Sequence, residues 1–286
     1  MIDRSMAGRN VLITGATSGI GEATARALAE RGATLIMVGR DEQRGKAAQR
    51  RIEAVAGSEQ VQLLLADLAS QREVRRLARE VTGRFDQLHV LVNNAGVDVG
   101  KRVVTPDGLE LTFAVNYLAP FLLTNLLLDL LKASAPSRVL NVVSGAHRGG
   151  TIDFDDLQSE RRFGQRAYNN SKLALVLFTY ELANRLQGTG VTANCVDPGF
   201  VKTGLGATMP LGYRIVGALM WPFMSSPEKG AETAVWAAAS PDLSQVTGSY
   251  LKGKRRIETD SKTHDQAVAA RLWKVSETLV ASTAGG

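Results

Sequence analysis

The chain has 286 residues, 44% of them hydrophobic, with 28 glycines and a formal net charge of +6. That length holds one sizeable α/β domain and is short for two. The single cysteine, Cys195, excludes an intrachain disulfide, the basic residues form no run interleaved with aromatics, and no apolar run reaches the roughly 18 residues that cross a bilayer.

Residues 1–7 lack the apolar segment of a signal peptide, which predicts a cytoplasmic chain. Asn10-Val11-Leu12-Ile13-Thr14-Gly15 is a short apolar run, the pattern of a strand buried on both faces. It continues as Thr14-Gly15-Ala16-Thr17-Ser18-Gly19-Ile20-Gly21, and a helical pattern follows over residues 22–32. Strand, glycine turn and helix are the context of a phosphate-binding loop. Glycines let the backbone approach a pyrophosphate, and a helix N-terminus offers free N–H groups. The G-x-x-x-G-x-G spacing differs from the G-x-G-x-x-G dinucleotide fingerprint. Residues 34–38 read as the second strand, followed by Gly39-Arg40-Asp41. The strand ends without the acid that meets the ribose hydroxyls of NAD, whereas Arg40 suits a 2′-phosphate and predicts NADP(H). Asp41 fits the N-cap of the next helix.

A third strand over 61–66 ends at Asp67-Leu68, an amphipathic helix covers 70–81, and a fourth strand over 88–92 runs into Asn93-Asn94-Ala95-Gly96. This alternation predicts βαβ units in a parallel sheet. Residues 109–132 read as one long helix or two abutting ones, with Asn116 inside and Pro120 as a candidate kink. Phe121 to Leu131 is apolar nearly all round, which predicts burial on more than one side. A partner subunit is the expected second cover, in a homodimer or homotetramer that also uses residues 173–186. A fifth strand over 138–143 ends at Ser144, a helix spans 168–186, and a sixth strand over 192–196 leads to Asp197-Pro198-Gly199. Residues 204–226 read as a lobe or lid within a single domain, 227–240 as a helix, 249–251 as a seventh strand and 281–286 as a disordered tail. No His, Cys and carboxylate cluster has metal-ligand spacing, so no bound metal is expected.

Tyr168 and Lys172 are four positions apart, which on a helix puts both on one face. A free tyrosine, with a pKa near 10, is a poor base at neutral pH. A nearby cation favours the phenolate. Bringing the pKa to roughly 7 takes roughly 4 kcal/mol, which a buried ammonium and a cationic cofactor ring together could supply. The spacing alone also fits a surface tyrosine and lysine.

In order, Thr14-Gly15-x-x-x-Gly19-x-Gly21, Asp67, Asn93-Asn94-Ala95-Gly96, Asn116, Ser144, Tyr168-x-x-x-Lys172 and Pro198-Gly199 resemble the short-chain dehydrogenase/reductase family over most of the chain. The resemblance implies a Rossmann-like doubly wound sheet of order 3-2-1-4-5-6-7. It implies Tyr168 as general acid–base, Ser144 as the hydroxyl that holds the substrate oxygen, and Lys172 as the ribose ligand that depresses the pKa of Tyr168. Asn116 would hold a water leading from Lys172 to solvent. Gly15, Thr17, Ser18, Gly19, Ile20 and Gly21 would lie along the pyrophosphate, with Arg40 at the 2′-phosphate. Asp67 and Leu68 would reach the adenine, and Asn94, Ala95 and Gly96 the ribose. Pro198, Gly199, Val201 and Thr203 would meet the nicotinamide.

Ser144 and Tyr168 are 24 residues apart, where the family usually has about a dozen. The insertion, with His147 after the serine and Asp153-Phe154-Asp155-Asp156-Leu157 further on, resembles the retinol dehydrogenase-like subgroup. That subgroup implies a bulky apolar carbonyl or alcohol as substrate, with His147 as a residue that shapes its pocket or an ordinary loop residue. Three other readings stay open: a ketone reductase acting on a polyketide or similar scaffold, a dinucleotide-sensing regulator without turnover, and a weak nucleic-acid binder suggested only by the basic charge.

Overall fold

The computed structural model describes residues 3–56, 60–202 and 224–281. The elements follow in chain order: β1 (Asn10–Thr14), α1 (Gly19–Ala29), β2 (Thr34–Gly39), α2 (Glu42–Ala56), β3 (Val61–Leu65), α3 (Gln71–Arg84) and β4 (Val90–Asn93). Next come the long helix α4 (Leu111–Ala133), β5 (Ser137–Val142), α5 (Gln165–Arg185), β6 (Val191–Asp197), α6 (Pro227–Ala239), β7 (Tyr250–Lys252), β8 (Arg255–Ile257) and α7 (Gln266–Ala281). The described strands form one sheet of order β3-β2-β1-β4-β5-β6-β7-β8. The first seven run parallel, as expected; β8 pairs antiparallel to β7 and was not anticipated.

Successive side chains of a strand point to opposite faces, and here each face feeds its own core. Leu12, Ile36 and Val38 join one cluster beneath α3, α4, α5 and α7. Val11, Ile13, Leu35 and Met37 join the other, beneath α1, α2 and α6. Val11, Leu12 and Ile13 have no exposed surface at all, which explains why the strand reads as a continuous apolar run. The chain leaves β1 toward β2 on one side, and β4 lies on the other. The crevice outside the strand ends at that switch point is where open α/β sheets bind ligands.

Helix α4 settles the choice between one helix and two. It is continuous, with a π-helical turn at Ala114–Leu118 and Pro120 just beyond it, at the start of the following α-helical stretch. Contrary to the sequence reading, it is long and apolar enough to cross a membrane by length and composition. Its most apolar window is nevertheless 78% buried, as in a core helix. The cover also differs from expectation. Trp273 of α7 packs its ring 5.0 Å from Phe121 of α4 and 5.6 Å from Phe178 of α5. The Tyr117 hydroxyl lies 2.6 Å from Ser276 Oγ. A helix of the same chain therefore takes much of the face that sequence patterning assigned to a partner subunit. Ala281 closes that helix; the rest of the expected tail, 282–286, lies outside the described residues, as does 204–223 of the expected lobe.

Candidate active site

The turn after β1 requires its glycines. Gly15 (φ +65°) and Gly19 (φ +56°) lie in the left-handed region, and a Cβ on Gly21 would stand 2.2 Å from the Gly15 carbonyl oxygen. Asn94 ties this turn to the end of β4, donating from Nδ2 to the carbonyls of Thr14 (2.9 Å) and Gly15 (3.2 Å). Thr14 Oγ1 accepts the N–H groups of Asn94 and Ala95. The amide of Asn94 is thus committed to holding the turn. Ser18 is the N-cap of α1, in extended backbone, yet its hydroxyl makes no capping bond. The helix therefore presents its first N–H groups beside a glycine cradle, a fit for a pyrophosphate.

Along the strand ends, Thr17 packs its methyl where any side chain on Gly39 would go. Arg40 is exposed at the end of β2, and among the described residues its guanidinium has no hydrogen-bond or ion-pair partner. Asp41 accepts the Arg44 N–H at 2.9 Å, the expected N-cap contact. Asp67 accepts from Ala69 N–H, and Leu68 packs partly into the core. Gly96 faces Asn116 and Lys172, with Asn116 Oδ1 at 3.4 Å and Lys172 Nζ at 3.7 Å from its Cβ position. On the far side, Gly199 (φ +78°) follows Pro198. Val201 is buried and occupies the space beside Gly230, whose Cβ position also approaches Ile20. Thr203 lies outside the described residues.

The four expected catalytic residues converge. Ser144, two residues beyond β5, is the N-cap of a short 3₁₀ turn, near enough to Tyr168 to favour ionisation of its phenol. Lys172 is buried and donates from Nζ to the Val142 carbonyl at 2.9 Å; among the described residues Nζ makes no other hydrogen bond. Asn116 sits in the π-helical turn, a distortion frequent at functional sites. Its Oδ1 accepts the Val97 N–H (2.7 Å), and its Nδ2 donates to the Val97 carbonyl (2.9 Å) and Ser171 Oγ (3.1 Å). Ser171 in turn donates to the Tyr168 carbonyl at 2.7 Å. Asn116 is therefore a brace between the strand-end loop and the start of α5, with both amide hydrogens spent on protein.

Burial dominates the electrostatics of the cluster. Burial pushes the Tyr168 phenol up to about 12, the Ser144 hydrogen bond pulls it down, and Asp98 and Asp197 push it further up. The Lys172 ammonium lies 5.7 Å from the ring centre. Burial drives Lys172 itself down to about 8, opposed by Asp197 and Asp98. Burial raises Asp98 to about 6, with Lys172 opposing. Neither carboxylate was singled out from the sequence. The only hint was a lone acid at the end of each apolar strand or its following loop.

His147 turns inward. It is 1% exposed, with Nδ1 2.7 Å from the Ser144 carbonyl oxygen and its ring 5.1 Å from Tyr250. The 3₁₀ turn folds it beneath Ser144, where it supports the turn. The remainder of the insertion builds a separate open cavity of about 320 Å³, lined by Asp156, Ser159, Arg161, Arg162, Arg166 and neighbours. None of the four expected catalytic residues lines it. Among the described residues no group of three His, Cys, Asp or Glu could hold a metal.

This geometry has known counterparts. The family model for short chain dehydrogenases matches residues 9–212. Human retinol dehydrogenase 13 is 41% identical over 280 residues, covering 96% of this chain and 85% of the relative. Mouse retinol dehydrogenase 14 is 44% identical over 289 residues, covering 96% and 86%. An uncharacterized protein from Mycobacterium paratuberculosis superposes with a TM-score of 0.78 at 34% identity, covering 96% and 94%. The Pseudomonas aeruginosa RhlG/NADP active-site complex gives 0.70 at 29% identity, covering 87% and 96%. With sheet order, ordered motifs and relatives in agreement, the chain belongs to the short-chain dehydrogenase/reductase family, in its retinol dehydrogenase-like subgroup, and is an oxidoreductase.

Proposed function

We propose that the protein is an NADP(H)-dependent carbonyl reductase or alcohol dehydrogenase for a bulky apolar substrate. The observation that carries this reading is the pairing of Tyr168 with a buried Lys172, whose ammonium lies 5.7 Å from the phenol ring, with Ser144 near enough to favour ionisation of that phenol. The glycine turn, the start of α1 without a side-chain cap and the exposed Arg40 fit a phosphorylated dinucleotide along the strand ends. Bound there, NADP(H) supplies or takes the hydride, chemistry no side chain offers.

During reduction, negative charge grows on the substrate oxygen. In this reading the Ser144 and Tyr168 hydroxyls both donate to that atom, and donors aimed at developing charge lower the barrier. Tyr168 delivers the proton as general acid, and takes it back in the oxidation direction. A phenol pushed up to about 12 is held protonated at neutral pH, which suits reduction. Lys172 holds the ribose and contributes positive charge, and Asn116 keeps the start of α5 in register with the strand ends. An arginine after β2 supports NADP(H) over NAD(H), as does the likeness to the Pseudomonas aeruginosa RhlG/NADP complex. Apolar substrate chemistry is supported by relatives named for retinol and by Phe200, 55% exposed after the Pro198-Gly199 turn.

The test is to follow NADPH and NADH absorbance with retinal, long-chain aldehydes, polycyclic ketones and small polar ketones. Selective consumption of NADPH with the apolar members supports the proposal. Absence of turnover with every member, despite dinucleotide binding, would favour a sensing role.

A further inference from the structure

We infer that Asp197, braced by Tyr250 and Lys252, is a positioning residue whose carboxylate sets the charge state of Lys172 and Tyr168 without touching substrate. Asp197 ends β6 and is 2% exposed. A buried carboxylate is costly unless it is paired and hydrogen-bonded, and this one is held on every side. Its Oδ1 accepts the Gly199 N–H at 2.8 Å, shaping the Pro198-Gly199 turn. Its Oδ2 accepts the Tyr250 hydroxyl at 2.7 Å. Lys252, opposite Asp197 in the β6–β7 pairing, brings Nζ to 3.2 Å of the same oxygen. The Cβ position of Gly145 lies 3.8 Å from that oxygen, so the carboxylate sits one residue from Ser144.

A carboxylate this committed cannot hold a substrate, but Lys172 donates to the Val142 carbonyl and Val142 pairs with Val196, the residue before Asp197, so its field reaches the reacting groups. It favours the ammonium of Lys172 and opposes ionisation of Tyr168. Asp98, from the loop after β4, acts with the same sign on both. The other groups facing the brace are His147, against the Tyr250 ring, and Arg148 and Cys195, which act on Tyr250 with opposite signs. Lys252 is 46% exposed at its side chain and is the counter-charge that tempers Asp197. Removing Asp197's charge therefore moves both titrations to lower pH, and removing Lys252's charge moves both to higher pH. A carboxylate that served packing alone would give no such opposed pair.

The inference rests on the hydride-transfer reading only in regarding this pair as the reacting one. Its test is an NMR titration of the free protein carrying ¹³C-labelled lysine, with the Lys172 signal assigned by Lys172→Arg. Lys172 titrates at about 8 in the native chain. In Asp197→Asn, which keeps the shape and the Oδ1 contact, the midpoint falls by about one pH unit. In Lys252→Met it rises by a smaller step. The pH at which NADP⁺ binding weakens follows in the same direction in each variant. An unmoved midpoint in Asp197→Asn, or a fall in Lys252→Met, overturns the inference. Should Asp197→Asn fail to fold, Lys252→Met decides alone: a rise supports, anything else refutes. No turnover is read, so failure here leaves the hydride-transfer reading standing. An inactive protein that titrates as described would instead sink that reading.

Discussion

The Lys172 ammonium stands over the Tyr168 ring, 5.7 Å from its centre, while Ser144 favours ionisation of the phenol. Burial acts on the two in opposite directions, holding the phenol neutral and depressing the lysine. For Lys172 the folded value, about 8, lies below the ordinary 10.5. Between those limits the unfolded chain binds one proton more than the folded one. Stability from this group therefore rises with pH across the window and is lowest below it. Relative to Lys172→Met, the wild-type protein should gain on the order of 3 kcal/mol of unfolding free energy between pH 8 and pH 10.5. Urea unfolding of both proteins across that range checks this; a constant or shrinking difference contradicts it.

Asn116 joins Val97 to Ser171 with three hydrogen bonds. Asn116→Ala strands the N–H and carbonyl of Val97 and frees Ser171. The expected cost is about 2–3 kcal/mol of stability, seen as a lower denaturant midpoint with an unchanged slope. Turnover should also fall, because the start of α5 loses its tie to the strand-end loop.

Arg40 is the basis for choosing NADP(H). Arg40→Ala should raise the KM for NADPH roughly tenfold, the size of one charge-assisted hydrogen bond lost. The KM for NADH should stay within about twofold. Equal losses with both cofactors would place the 2′-phosphate elsewhere.

Trp273 seals α7 onto Phe121 and Phe178, stacks beneath the Arg185 guanidinium at 4.1 Å, and donates its indole N–H to Glu277 at 2.8 Å. Trp273→Ala should cost about 3–5 kcal/mol. It should also expose the apolar face of α4 and α5, so light scattering should show greater self-association than in the wild type.

The inner strands were legible because burial on both faces leaves an uninterrupted apolar run, and the glycine turn because only glycine fits its backbone. Tyr168 and Lys172 were legible because helical spacing puts them on one face. The C-terminal helix was missed, and with it the reason that α4 and α5 are apolar all round. Ala269, Leu272, Trp273, Ser276 and Val280 do mark one helical stripe, but polar residues interrupt it. Helix α4 fell short as a membrane-length run for the same reason, since Asn116, Thr124 and Asn125 divide it. The brace of Asp197 joins residues 53 apart in the chain, and no local pattern reports such a contact. Nor does sequence reveal burial, the largest influence on both Tyr168 and Lys172.

Tyr168→Phe measures the central claim most directly, since it removes one oxygen and keeps the ring. Turnover of an apolar ketone or aldehyde with NADPH should fall by at least about a hundredfold, the usual contribution of a positioned general acid. NADPH should still bind with nearly unchanged affinity in a fluorescence titration. Full turnover in the variant would contradict the account.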